Sequence, residues 1–305
     1  MAIGTCYVDT NVANFPFSRN ALVGEELIGD RYEIVPGGSA VNFCRLGRAL
    51  GLRTAFIGMA GSDANGDMLQ SMLAQQGVQS ALVRRPDLQT NIGFNLTNNK
   101  SDHLMFVAGT ANAALDPPAV LPPLKELLPE ATMLYLGGCL KLKTLAPAYS
   151  EIITLARQAS TQLAVDHGRI PEGAAPEILR SVKDLVLNAT YYFPSREEFC
   201  TLWEVASIHE GLHHLQELSP GLTVVVKDGP HGAFYWIDGA VRHLEVAKID
   251  AITNATGAGD SFNAGVIMAV LKGTALPTAV AYGHEVAAAK LQAQPTGTFS
   301  PPMLR

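Results

Sequence analysis

Residues 255–265 read Ala-Thr-Gly-Ala-Gly-Asp-Ser-Phe-Asn-Ala-Gly, a loop of small side chains that feeds directly into an apolar helix expected over Ser261–Leu271. The loop therefore ends at a helix N-terminus. Backbone N–H groups there lack partners and the helix dipole is positive, so glycines let an anion such as a phosphate come close. Asp260 lies within this loop. A carboxylate repels an anion unless it takes a proton from a nucleophile attacking that anion. It also makes an ordinary helix N-cap, and the loop alone supports both readings.

Working outward, a second glycine run, Gly37-Gly38-Ser39-Ala40-Val41-Asn42, again precedes an expected helix, over Ala40–Leu50. The Asn42 amide suits polyol hydroxyls and Gly38 would let a ligand touch backbone; a structural turn with a buried Asn fits the same residues. Asp9 ends the first expected strand, Ala2–Val8. Open α/β sheets bind ligands outside such strand ends, where plain turn residues also stand. Gly229-Pro-His-Gly232, after the expected strand Leu222–Lys227, offers bare backbone to a nucleotide or makes a tight turn.

Strand-like and helix-like segments alternate between these motifs: strand Thr54–Gly58, helix Asn65–Gln76, strand Thr132–Leu136, helix Pro147–Ser160 and strand Gln162–Asp166. Helix Pro176–Val182, strand Asp184–Leu187 and a helix beginning near Ser195 continue the pattern, and helices over 257–272 and 276–292 close it. Ala233–Ile237 and Val241–Val246 read as an antiparallel edge. Repeated βα units imply a doubly wound, mainly parallel sheet with helices on both faces. Residues 10–36 and 90–107 break the alternation and read as short antiparallel strands outside the main sheet of one α/β domain over 1–305; a lid and a sheet-edge extension without a function both fit that pattern.

Composition narrows the function classes. The chain has 305 residues, 48% hydrophobic and 16% charged, with a net charge of −6. Lys and Arg never gather into a run, so nucleic acid is excluded as a partner. The longest apolar stretch of the last third, Ala264–Leu271, is far short of the roughly 20 residues that cross a bilayer, and the first residues carry no secretory pattern, so a cytoplasmic location is expected. Cys6, Cys44, Cys139 and Cys200 are scattered, as reduced core thiols are. P-loop, dinucleotide, serine-hydrolase and zincin motifs are absent. The histidines show no metal-ligand spacing, and Lys141, Lys143, His167 and Arg169 are expected at the surface.

Taken together, GGSAVNFCRLGRALG followed by Gly61, and then NATGAGDSFNAGV, make the chain resemble the ribokinase-like (PfkB) family of carbohydrate and nucleoside kinases over nearly its whole length. The resemblance implies ATP and Mg2+, with Asp260 deprotonating the acceptor hydroxyl for attack on the γ-phosphate and Gly257, Ala258 and Gly259 forming an anion hole. It implies that Asp9, Gly38 and Asn42 hold sugar hydroxyls, that Lys227, Gly229, Gly232 and Thr256 border the nucleotide, and that Glu198 helps place magnesium through water. It also implies that residues 10–36 and 90–107 form a small β lid and that the chain homodimerises through it. Ser195 stands where the family's Asn-x-x-Glu motif has Asn. Asn254 and Ala255 stand where the second signature has Asp-Thr, so the monovalent-cation (K+) site formed there loses a negative ligand. Transfer of this kind rests on positioning and charge stabilisation.

The acceptor is expected to be a sugar or sugar-like alcohol. A nucleoside is the alternative within the class, with Phe15, Phe17, Phe94 and Phe106 as candidate walls for its base. Outside it stands a non-catalytic sugar or nucleotide sensor that keeps the fold.

Overall fold

The computed structural model describes residues 1–15, 28–98, 103–247, 249, 256–293 and 300–304. From the N-terminus run β1 (Ala2–Gly4), β2 (Tyr7–Ala13), β3 (Arg31–Gly37), α1 (Ser39–Ala49), β4 (Ala55–Gly61), α2 (Ala64–Gln75), β5 (Gln79–Arg85), β6 (Ile92–Thr97) and β7 (His103–Ala108). The middle contains α3 (Pro117–Leu127), β8 (Met133–Gly137), α4 (Tyr149–Gln158), β9 (Gln162–Asp166), α5 (Pro176–Leu187), β10 (Tyr191–Tyr192), α6 (Arg196–Trp203) and α7 (Ile208–Leu218). The last part is β11 (Thr223–Lys227), β12 (Ala233–Ile237), β13 (Ala240–Leu244), α8 (Ala258–Leu271) and α9 (Leu276–Gln292).

Among the described residues, nine strands form one sheet in the order β13-β12-β11-β10-β9-β8-β1-β4-β5. Every pair from β5 to β11 is parallel, and β12 and β13 add the expected antiparallel edge. Period-two alternation sorts the central strands onto two cores, as a sheet covered on both faces requires. Leu134, Leu136, Val224 and Val226 pack with Val120 of α3, Ile152 of α4 and Leu185 of α5. Met133, Tyr135 and Val225 pack instead with Val41 of α1, Leu69 of α2, Val266 of α8 and Val280 of α9.

A second sheet, in the order β3-β2-β6-β7, is the lid. Its β2–β6 pair is parallel, which corrects the all-antiparallel expectation; residues 16–27 and 99–102 of the two lid segments lie outside the described residues. The expected strand Ala2–Val8 is in fact two strands, β1 in the main sheet and β2 in the lid. Asp9 therefore lies inside a lid strand and not at the carboxyl end of a central one, because apolar alternation does not register a change of sheet. The expected strand Asp184–Leu187 is the end of α5, whose Val182, Leu185 and Val186 are all buried at helical spacing.

The lid is tied to the main sheet by Asp63. Its carboxylate caps α2 by accepting from Gly66 N at 2.8 Å, and accepts from Thr90 N at 2.8 Å and Thr90 Oγ1 at 2.6 Å, just before β6 begins. Burial alone would raise its pKa, but these hydrogen bonds and the Arg84 charge hold it below the ordinary 3.8. A lowered carboxyl pKa gives stability that is present above the unfolded value and lost as pH falls through the folded one. Asp63→Ala is expected to cost about 2 kcal/mol. It should lower the urea midpoint at pH 7 with an unchanged slope, a difference that shrinks below the ordinary carboxyl pKa.

Candidate active site

The first turn of α8 is half-buried and lies beside Lys227, at the carboxyl end of β11. Gly257 caps it with φ at 78°, a left-handed conformation in which a side chain would be strained. Ser261 N and Oγ both donate to the Gly257 carbonyl, at 2.9 and 2.7 Å, while the N–H groups of Ala258, Gly259 and Asp260 belong to the first turn and have no intrahelical acceptor. Thr256 enters this turn directly. Asp260 faces α1: Ser39 Oγ donates to its Oδ1 at 2.6 Å and Asn42 Nδ2 donates to its Oδ2 at 2.9 Å. The two glycine runs, more than 200 residues apart in sequence, thus meet at one carboxylate. Burial pushes the Asp260 pKa up to about 6, with the Asp166 carboxylate adding to the rise and Ser39, Asn42 and Lys227 opposing it. Such a group is ionised at neutral pH and close enough to titration to accept a proton.

Lys227 ends β11 with its Nζ 2.6 Å from the Phe193 carbonyl, 2.7 Å from Asp166 Oδ2 and 3.3 Å from Asn263 Oδ1. A Cβ built on Gly259 would lie 3.6 Å from that Nζ, so the ammonium borders the loop. Burial alone would lower the Lys227 pKa, but the Asp166 carboxylate holds it above the ordinary value. Sequence reasoning missed Asp166, Asn263 and Tyr135. Their signals were faint: Asp166 closes an expected strand, and Asn263 stands one helical turn after Asp260. His167 is fully buried, with Nδ1 2.6 Å from the Gly168 carbonyl, which corrects its expected surface placement. Lys141, Lys143 and Arg169 are exposed as expected.

Asp9 is 4% exposed. It fits because Gly93, its partner on β6, and Gly37, two residues beyond its β3 partner Val35, leave room: a Cβ on either glycine would collide with its carboxylate. Its Oδ1 is buried without a hydrogen-bond partner. Burial pushes its pKa up to about 6, against the pull of Asn95, Arg45 and Lys141. An unpartnered buried carboxylate oxygen matches a ligand hydroxyl. Phe94 and Phe106, paired across β6 and β7, alternate to the face opposite Asp9 and Gly93, and so do Tyr32 and Ile34. All four are at least 42% exposed, and none of them walls the Asp9 side. Phe17 and Asn254 lie outside the described residues.

Toward β12, Gly229 and Gly232 both take positive φ and close a turn in which Asp228 N donates to Gly232 O at 2.8 Å. Arg196 clasps the Asp228 carboxylate with two N–H groups, holding its pKa below the ordinary range. Ser195 and Glu198 form a capping box at the start of α6, with Ser195 N donating to Glu198 Oε2 at 2.7 Å. Ser195 in place of Asn therefore still caps the helix and orients the glutamate. No group of three acidic, histidine or cysteine side chains gathers among the described residues. Such a donor set would suit a magnesium ion held mainly by phosphate oxygens and water.

A family model for pfkB family carbohydrate kinases matches residues 3–303. The chain belongs to the pfkB family. Curated relatives within reach of this pfkB chain include a ribokinase of Haemophilus influenzae, 26% identical over 271 residues and covering 87% of this chain and 84% of that one. A nucleoside kinase of Methanothermobacter thermautotrophicus is also 26% identical, over 274 residues, covering 87% and 81%. Two solved structures share the fold. One is a PfkB protein from Polaromonas sp. JS666, with TM-score 0.79, 22% identity and 95% of each chain covered. The other is an Arabidopsis thaliana ribokinase complexed with ribose and ATP, with TM-score 0.75, 19% identity and coverage of 96% of this chain and 92% of that one. No helix among the described residues is long and apolar enough to cross a membrane.

Proposed function

We propose that the protein transfers the γ-phosphoryl group of ATP to a hydroxyl of a small sugar or sugar-like alcohol. The observation that carries this reading is the Asp260 carboxylate, fixed by Ser39 and Asn42 at the N-terminus of α8 with its pKa raised to about 6. Asp260 takes the proton of the acceptor hydroxyl as that oxygen bonds to the γ-phosphorus and the bond to the ADP oxygen breaks. The proton stays on Asp260 until the product leaves. First-turn N–H groups at Ala258, Gly259 and Asp260, with the Lys227 ammonium beside them, meet the charge on the transferring group. Asp9 Oδ1 accepts from an acceptor hydroxyl, next to the bare backbone of Gly37 and Gly38, and the turn from Gly229 to Gly232 borders the nucleotide. Magnesium, placed through water by Glu198, neutralises phosphate charge when bound.

The placement of Phe94 and Phe106 on the face away from Asp9 favours a sugar over a nucleoside. The test is magnesium-dependent ADP release across hexoses, pentoses, sugar acids, polyols and nucleosides, with Asp9→Asn alongside. Turnover is expected with a sugar or polyol, and Asp9→Asn should raise the KM of that acceptor about tenfold, the loss of a charged hydrogen-bond partner, with little change for ATP. ATP binding with no acceptor-dependent turnover anywhere on the panel would support the sensor reading instead.

A further inference from the structure

Beneath the anion loop lies a closed set of buried polar side chains whose joint is Asp166. Its Oδ2 accepts from Lys227 Nζ of β11 and from Asn263 Nδ2 of α8, both at 2.7 Å, and its Oδ1 accepts from Gly168 N at 3.0 Å. Asn263 Nδ2 also lies 3.0 Å from the Tyr135 hydroxyl, which is 3.4 Å from Ser39 Oγ, the donor to Asp260. Asn263 and Tyr135 are fully buried and Asp166 is 6% exposed. The circuit starts beside Gly259 and returns to Asp260, three residues before Asn263 on the same helix.

A buried ion pair adds little stability over a well-packed apolar pair of the same volume. What it does supply is a charge held at one place. Resting on the phosphoryl-transfer reading, we propose that Asp166 is a positioning residue: it holds the Lys227 ammonium beside Gly259 and ties α8 to β9 through Asn263, so that the proton acceptor and the anion loop keep one fixed separation. The groups facing Asp260 are Ser39 and Asn42 from α1, the Tyr135 hydroxyl from β8, Asp166 from β9 and Lys227 from β11. Burial keeps the Tyr135 hydroxyl protonated, and Glu198 and His167 face Lys227 and Asp166. Among the described residues only Asp166 and Lys227 in this shell are charged, and they act on Asp260 in opposite directions.

The experiment follows the Asp260 carboxyl titration by carbon NMR in aspartate-labelled protein, assigned with Asp260→Asn, beside the pH dependence of kcat. Asp166→Asn should move the Asp260 midpoint down and Lys227→Met should move it up. The Asp166→Asn/Lys227→Met double variant removes both members of the ion pair together, leaves the net buried charge unchanged and so keeps its fold. Its midpoint should return to within about half a pH unit of the parent protein, while kcat stays about 100-fold down because both the ammonium and the tie between α8 and β9 are lost. Unmoved midpoints, single-variant shifts of the same sign, or a double variant with parental kcat would overturn the proposal. Opposed shifts in a protein that phosphorylates no acceptor would sink the transfer reading alone.

Discussion

Asp260→Asn is expected to lower acceptor-dependent turnover by about three orders of magnitude while ATP binding, read by calorimetry, stays within a few-fold of the parent. The amide fills the same volume beside Ser39 and Asn42 but cannot take the proton of the attacking hydroxyl. The pH profile gives an independent reading. Burial places the Asp260 pKa at about 6, and the base must be ionised to work, so kcat should rise through about pH 6 and level off above it. The same shift has the opposite sign for stability. A carboxyl whose folded pKa lies above the unfolded 3.8 binds its proton more tightly when folded, so ionisation between 3.8 and about 6 removes stability as pH rises. A variant that keeps full turnover, or a parental rate with no acid limb near pH 6, would exclude Asp260 as the base.

Gly38→Ala should be strongly damaging for a single added methyl group. Gly38 caps α1 at φ 102° and ψ 142°, a region closed to side chains, and a Cβ there would collide with the Thr5 carbonyl. Backbone strain and steric overlap together should cost about 2–4 kcal/mol in urea unfolding. The damage should extend to the chemistry. Ser39 and Asn42 ride on the first turn of α1, and displacing them by about 1 Å from Asp260 should lower kcat about 100-fold. A variant with the parental urea midpoint and parental kcat would show that this turn has room to shift.

Much of the fold was legible because parallel strands and their helices carry strong periodicity. β9, β12 and α9 fall where alternation and spacing put them, and α6 begins beside Ser195 as expected. What escaped had physical reasons. α3 reads poorly as a helix because Pro117, Pro118, Pro122 and Pro123 crowd it, yet Asp116 caps it by accepting from Ala119 N at 3.0 Å. The step from β1 into β2 takes only Thr5 and Cys6, and an unbroken apolar run conceals the change of sheet.

The candidate site divides in the same way. Asp260, Ser39 and Asn42 belong to glycine-marked helix starts, a local pattern visible in one dimension. Asp166, Asn263 and Tyr135 come from three separate elements and meet only once β8, β9 and α8 are packed together. Lys227 lay at the edge of a visible motif, but its partner was invisible without the third dimension. His167 reads as a strand-end residue, and only the packing of Tyr192 and Gly168 around it puts its ring in the interior.

The passage from β3 to α1 through the single residue Gly38 has a mechanical side. A hinge with a long loop has slack, and slack dissipates motion before it reaches anything. Here the lid strand and the helix are joined almost end to end, with the Asp9 carboxylate filling the space beside Gly37 and the Asp260 carboxylate accepting from Ser39 and Asn42 on the helix. The lid is thus a lever whose short arm is the first turn of α1. A tilt of the lid would therefore reach the first turn of α1, and the Asp260 carboxylate held there, without backlash.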